Sequence, residues 1–182
     1  MQSKTHSNLL VQTLKNDIIE GTLKPGDRLL PLRELANKYE VSRSVINCVV
    51  SSLVAQGYIT VLPRHYIVVN DILNTGSVGI IIDVMESNNL SLKLKLLKDV
   101  LVLRKTIEVD SLRKIMEDPK GSLGVIQPTM ALIQSWMKNP KNELNLLIDL
   151  DAKFHQSLLI ATHNTVYGLI YNEFEVLMHK MI

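Results

Sequence analysis

Apolar residues in the first third of the chain recur at helical spacing and then switch to alternation. Between Leu9 and Glu20 they fall at Leu10, Val11, Leu14, Ile18 and Ile19, the stripe of an amphipathic helix. The segment LKPGDRLLP follows, in which Pro25 and Gly26 enforce a turn. Leu32, Leu35, Ala36 and Tyr39 mark a short second helix. Ser42 is a good N-cap for a third, which carries Val45, Ile46, Val49, Val50 and Leu53 and stops at Gly57. Two β-branched runs, YITVL and YIVVN, lie around Pro63, Arg64 and His65 and predict a hairpin.

After residue 70 the pattern loosens. NDILNTGSVG clusters Asn, Thr, Gly and Ser, and the apolar run IIIDVM follows, so residues 71–90 read as a linker with one short docking element. From Leu92 the chain returns to long amphipathic stretches. The first ends at Asp118, Pro119 and Gly121. A second is expected from about Val125 to Met137, a third from Asn142 to about Thr162, and a fourth from Thr165 onward. Long amphipathic stretches separated by helix-stop residues predict an all-helical second domain over residues 91–182.

Composition narrows the class. At 182 residues and 46% apolar content the chain can bury one or two cores, and with five Tyr, two Phe and one Trp these must be filled by Leu, Ile and Val. No window approaches the roughly 20 apolar residues of a membrane span, and no leader pattern opens the chain, so a cytoplasmic location is expected. Cys48 is the sole cysteine and excludes a disulfide framework; it is expected to be a small core or semi-buried residue. Residues 1–70 hold eight Lys and Arg against five Asp and Glu, and residues 71–182 hold twelve against thirteen, so the modest positive balance sits at the N-terminal end.

The N-terminal pattern carries specific chemistry. A cap at Ser42 leaves Arg43, Ser44 and Asn47 near a helix start, where a helix-turn-helix protein presents side chains to base edges in the major groove. The string PGDRLLPLRELANKYEVSRS, followed by LVAQGYI and the hairpin, resembles the winged helix-turn-helix of the GntR family of bacterial transcription regulators over residues 4–70. The resemblance implies that Arg33 and Arg43 contact DNA. Asn47 stands where many members of that family have arginine; it can pair with an adenine edge but cannot bring charge to phosphate or a fork to guanine. Arg64 and His65 read either as phosphate or minor-groove contacts or as a solvated hairpin tip.

In the second half, Asp151 and His155 are four residues apart on a predicted helix, so one face can offer both to a single divalent cation, or simply hold them as a surface pair. The surrounding DAKFHQSLLIATHN resembles the signature helix of the FCD ligand-binding domain, which defines the FadR subgroup of the same family. Arg104 and Glu108 in LVLRKTIEVDSL resemble the Arg and Glu of that domain's first long helix. The resemblance implies that Arg104 points into an effector cavity, and that Asp151 and His155 join further histidines in holding Zn²⁺, Ni²⁺ or Mn²⁺. Those histidines lie on later helices that the sequence up to Ile182 does not contain, so an incomplete domain with a weak or absent metal is expected. His163 is expected at a helix end, and nothing fixes the orientation of His179.

The expected fold is therefore mainly α: a winged helix-turn-helix over residues 1–70, a linker over 71–90, and a helical FCD-like domain over 91–182. The expected function is a homodimeric regulator, not an enzyme, that binds double-stranded operator DNA and responds to a small carboxylate effector, held by a metal in one version. Two alternatives stay open: a metal-free acyl-CoA-type sensor, and a metal-dependent enzyme fused to a helix-turn-helix. The enzyme needs a general base, and none is evident beside Asp151 and His155.

Overall fold

The computed structural model describes residues 2–63, 66–138 and 144–180, with side-chain surroundings given for residues 6–63, 66–118, 123–138 and 145–172. The chain is mainly helical, with an N-terminal winged helix-turn-helix and a helical C-terminal part. It divides into two compact units, residues 1–93 and 94–182.

In the first unit α1 (Gln2–Ile19) packs on α3 (Arg43–Ala55), and α3 also meets α2 (Leu32–Lys38) and β1 (Ile59–Leu62). The stripe of α1 at Leu10, Val11, Leu14, Ile18 and Ile19 is buried, as are Ile46, Val49, Val50 and Leu53 of α3. Strand β1 pairs antiparallel with β2 (Tyr66–Val69), in the register Ile59 to Val69 and Leu62 to Tyr66. A third, shorter edge is added by residues 26–29. The Gly26 and Leu29 N–H groups donate to the Val69 and Ile67 carbonyls, and Val69 N–H donates to Asp27, each at 2.9 Å. Pro25 and Gly26 hold the two central positions of the preceding turn, where Gly26 has φ 89° and Asp27 N–H donates to Lys24, a type II geometry.

Two helix ends in this unit follow one scheme. At the end of α3, Gly57 N–H bonds to Val54 and Tyr58 N–H to Leu53, a Schellman motif with Gly57 at φ 81°. At the end of α2, Glu40 N–H bonds to Asn37 and Val41 N–H to Ala36, with Glu40 in the left-handed position at φ 54°. The turn between the two helices is thus closed by a non-glycine residue where glycine is easiest.

Residues 71–90 hold two helices, α4 (Ile72–Thr75) and α5 (Gly79–Glu86), and both fall within the first unit. Ile72, Ile80 and Val84 are buried, which explains the apolar run IIIDVM. A side chain at Gly57 would put its Cβ 2.9 Å from the Gly76 Cα and the Thr75 carbonyl, so the exit of α3 and the end of α4 touch backbone to backbone. Asn89 caps α6 (Leu90–Glu117): its Oδ1 accepts from Leu92 N–H at 3.0 Å, and its amide donates to the carbonyl of Ile19, the last residue of α1.

In the second unit α7 (Pro119–Lys138) packs on α8 (Leu144–Ile160), and α8 on α9 (Thr165–Lys180). Ile107 and Ile115 of α6, Ile126 of α7, Leu150, Leu158 and Leu159 of α8 and Tyr171 of α9 are buried. Helix α7 begins at Pro119, about a turn and a half before the expected Val125. The reason is positional: α6 ends at Glu117 as the stop signals predicted, and a proline in the first turn lacks only an N–H that has no helical partner there, so Pro119 also starts the next helix. Pro128 lies inside α7 and removes one helical hydrogen bond.

Candidate functional site: an exposed helix face and a charged ring

The outer face of α3 is polar because its inner face is spent on the core. Ser42 caps the helix, its side-chain oxygen accepting from Val45 N–H at 3.3 Å. Ile46, Val49, Val50 and Leu53 turn inward, which leaves Ser42, Arg43, Ser44 and Asn47 exposed together at the first turns of α3. Arg33 is exposed on α2. Arg64 and His65 lie outside the described residues. Cys48 is exposed beside Asn47, contrary to the core or semi-buried position expected. It stands about 200° around the helix from Ile46, on the polar side, and periodicity applied to that residue gives the same answer.

Arg28 was not singled out from the sequence. It is exposed on the added edge, opposite Val68, with its guanidinium 4.8 Å from the centre of the Tyr66 ring. That cation–π contact holds a positive charge against the wing, on a strand-like segment that DRLL announces only weakly.

In the second unit Arg104 and Glu108 of α6 meet Asp151 and His155 of α8 as two i, i+4 pairs face to face. Arg104 Nε donates to Glu108 Oε1 at 2.7 Å, and its terminal nitrogen lies 3.4 Å from Asp151 Oδ2. His155 Nε2 is 3.3 Å from Asp151 Oδ1. His155 Nδ1 is 2.7 Å from Glu108 Oε1, close for an ion pair but poorly directed for a hydrogen bond. The four side chains close a ring of alternating acid and base. Burial by itself would raise the Glu108 pKa, but His155 and then Arg104 outweigh it and hold the carboxyl below its ordinary value. For Arg104, burial works against the charge and is outweighed by Glu108 and Asp151, so the guanidinium stays above its ordinary value.

Among the described residues no three His, Cys, Asp or Glu side chains are grouped to hold a metal ion. Glu108 and Asp151 flank opposite nitrogens of the same imidazole, so no one point lies within bonding distance of all three donors. Both carboxylates also share the positive charge of Arg104. His163 is at the end of α8 with φ 55°, the left-handed position of a helix end. The side chain of His179 lies outside those described.

A second cluster escaped the sequence reading. Lys15 of α1 and Asp83 of α5 form a bidentate ion pair at 3.0 and 2.9 Å, and the Tyr58 hydroxyl donates to the same carboxylate at 2.8 Å. Lys15 Nζ lies 5.4 Å from the centre of the Tyr58 ring. Burial, and then the bond to and charge of Asp83, hold the Tyr58 hydroxyl far above its ordinary pKa. Lys15 sits on the apolar side of α1 and Asp83 inside an apolar run, and a charge on an otherwise buried face was the one signal available.

Residues 7–69 match the family model described as bacterial regulatory proteins, gntR family. Among solved structures, the chain is similar to YtrA from Sulfolobus acidocaldarius, a GntR-family transcription factor, at 34% identity over 36% of this chain and 55% of that one, with a TM-score of 0.34. It therefore spans about half the length of YtrA. A second similar structure is Lar of Listeria monocytogenes, which controls expression of the agr system: 19% identity, 100% of this chain and 73% of that one, TM-score 0.47. A third is a GntR family member from Pseudomonas syringae pv. tomato, at 22% identity over 95% and 64% of the two chains, TM-score 0.42.

Proposed function

With residues 7–69 a GntR-family helix-turn-helix domain, we propose that this chain is a transcription regulator of the FadR type, which binds an operator through α3 as a homodimer and answers to a small-molecule effector through its helical unit. The observation that carries the DNA-binding part is the exposed group of Ser42, Arg43, Ser44 and Asn47 at the start of a helix whose opposite face is buried. In that placement Arg43 supplies charge and a fork for guanine or phosphate, and Asn47 an amide that pairs with adenine. Arg33 and Arg28 add charge for the backbone. Two copies double the phosphate contacts, and the operator is then an imperfect inverted repeat.

The ring of Arg104, Glu108, Asp151 and His155 favours the metal-free version of effector binding. A ligand carboxylate meets Arg104 most readily by replacing Asp151, its longer and more exposed partner. An effector that prefers one arrangement of the regulator shifts operator affinity by its coupling energy, typically ~1–3 kcal/mol.

The test is a mobility-shift titration at fixed salt. Arg43→Ala is expected to weaken operator binding by about tenfold or more, the loss of a bidentate contact. Asn47→Ala is expected to change base preference more than affinity. Unchanged binding by Arg43→Ala removes α3 as the reading helix. Zinc content in purified protein that disappears in His155→Ala would restore the metal version.

A further inference from the structure

Helix α3 has two ends, and the polar side chains offered for base contact, Arg43, Ser44 and Asn47, are exposed at its start. Its other end is unusually well seated. Leu53 and Tyr58, the two residues joined by the outer hydrogen bond of its Schellman motif, are both completely buried. Asn70 adds two bonds at the same place, its backbone N–H to the Tyr58 carbonyl and its side-chain amide to the Gly57 carbonyl, each at 2.9 Å. The Tyr58 side chain then reaches Asp83, which Lys15 holds from α1, the helix that packs along α3. Helix α5 thus ties the exit of α3 and the body of α1 to one carboxylate, with Ile80 and Val84 buried on either side of it.

We propose that Asp83 is a positioning residue for base reading: without touching DNA it fixes, through Tyr58 and Lys15, the seat of α3 and so the placement of Arg43 and Asn47. The inference rests on the DNA-binding function proposed above. Thirteen residues of helix make a rod of about 20 Å. A small tilt at its seated end therefore moves its reading end by a comparable amount. Hydrogen bonds to base edges fail over a few tenths of an ångström, whereas the attraction of Arg and Lys for phosphate falls off slowly. Loosening the seat should therefore cost sequence discrimination before it costs general attraction to DNA.

The experiment uses the full chain and two duplexes. One is selected from a random-sequence pool by the wild-type protein; the other is a scrambled duplex of equal length and composition. The quantity read is the ratio of their affinities at one salt concentration, well below the melting temperature of each variant. Asp83→Asn is expected to lower that ratio by about tenfold, the usual cost of one mismatched base pair, with affinity for the scrambled duplex within about twofold. Should Asp83→Asn fail to fold, the double variant Lys15→Met/Asp83→Leu removes both buried charges together, an exchange that buried pairs tolerate. It leaves the Tyr58 hydroxyl without its partner and is expected to show the same loss of ratio. A folded variant with the wild-type ratio overturns the inference, as does a parallel fall in both affinities, the mark of a merely structural role. A wild-type protein that selects no duplex overturns the DNA-binding function itself, and the inference with it.

Discussion

Two Asp, Lys, Tyr triads among the described residues have nearly the same contacts and opposite settings. In the first unit Lys15 and the Tyr58 hydroxyl meet Asp83 at 2.9 and 2.8 Å, and the ammonium lies 5.4 Å from the Tyr58 ring centre. In the second, Lys114 and the Tyr167 hydroxyl meet Asp110 at 2.8 and 2.7 Å, with Lys114 4.9 Å from the Tyr167 ring centre. The side chains of Lys15 and Asp83 are 7% and 15% exposed, whereas those of Lys114 and Asp110 are both 41% exposed. Geometry does not separate them; water does. A buried charge that loses its partner has nothing to replace it, while an exposed one is resolvated at once. The buried triad also joins three segments far apart in sequence, whereas Lys114 and Asp110 share one helix turn and only Tyr167 comes from elsewhere.

The same substitution in both triads is the most direct way to break this comparison. Asp83→Ala is expected to destabilise the protein by about 3–5 kcal/mol, the usual result of stranding half of a buried pair. Asp110→Ala should move the melting temperature by only a small fraction of that change. Equal effects in thermal or urea unfolding would mean that burial is not what distinguishes the triads.

A smaller effect is expected on the alkaline side. The Tyr58 pKa is raised in the folded protein from an ordinary 10.0, so its contribution is intact below pH 10 and is lost as pH rises above that value, where the unfolded chain ionises first. Tyr58→Phe, measured by denaturant unfolding from pH 8 to 11, should flatten the decline. Replacing the hydroxyl also removes its bond to a charged acceptor, worth about 1.5–3 kcal/mol at neutral pH.

The exposed triad responds to acid and salt, and least of all. Lys114, and then Tyr167, hold the Asp110 pKa below its ordinary 3.8. Its contribution is therefore present above that value and fades as pH falls through the folded one. The difference between wild type and Asp110→Asn should vanish in strong acid. It should also shrink at 1 M salt, where the screening length is about 3 Å, while the effect of Asp83→Ala persists.

Helix α3 was largely legible in the sequence because its determinants are local. Ser42 as a cap, the inward stripe from Ile46 to Leu53 and the stop at Gly57 lie within sixteen residues, and the polar face follows once the apolar one is assigned. Cys48 obeys the same period. The failures were of other kinds. Pro119 follows the end of one helix and begins the next, and a stop signal read alone does not show that a helix starts there. Spacing places Asp151 and His155 on one helix face, but it cannot say that Glu108 lies on the far side of the imidazole, or that Arg104 is shared by both carboxylates.

By itself the sequence determined which residues could be helical, where several helices are capped, which stripe of each is apolar, and that the first seventy residues resemble a winged helix-turn-helix. These are properties of neighbours along the chain, set by backbone sterics and by periods of 3.6 and 2. Only the tertiary structure decided that Lys15, Tyr58 and Asp83 meet, that residues 26–29 extend the wing, and that four charged side chains of two helices close into a ring. Separations of 25 and 68 residues in the buried triad, and of 47 between Arg104 and Asp151, carry no periodic signal. Such contacts form because burying the surrounding apolar surface brings the backbones together, and the charges must then find one another or stay in water.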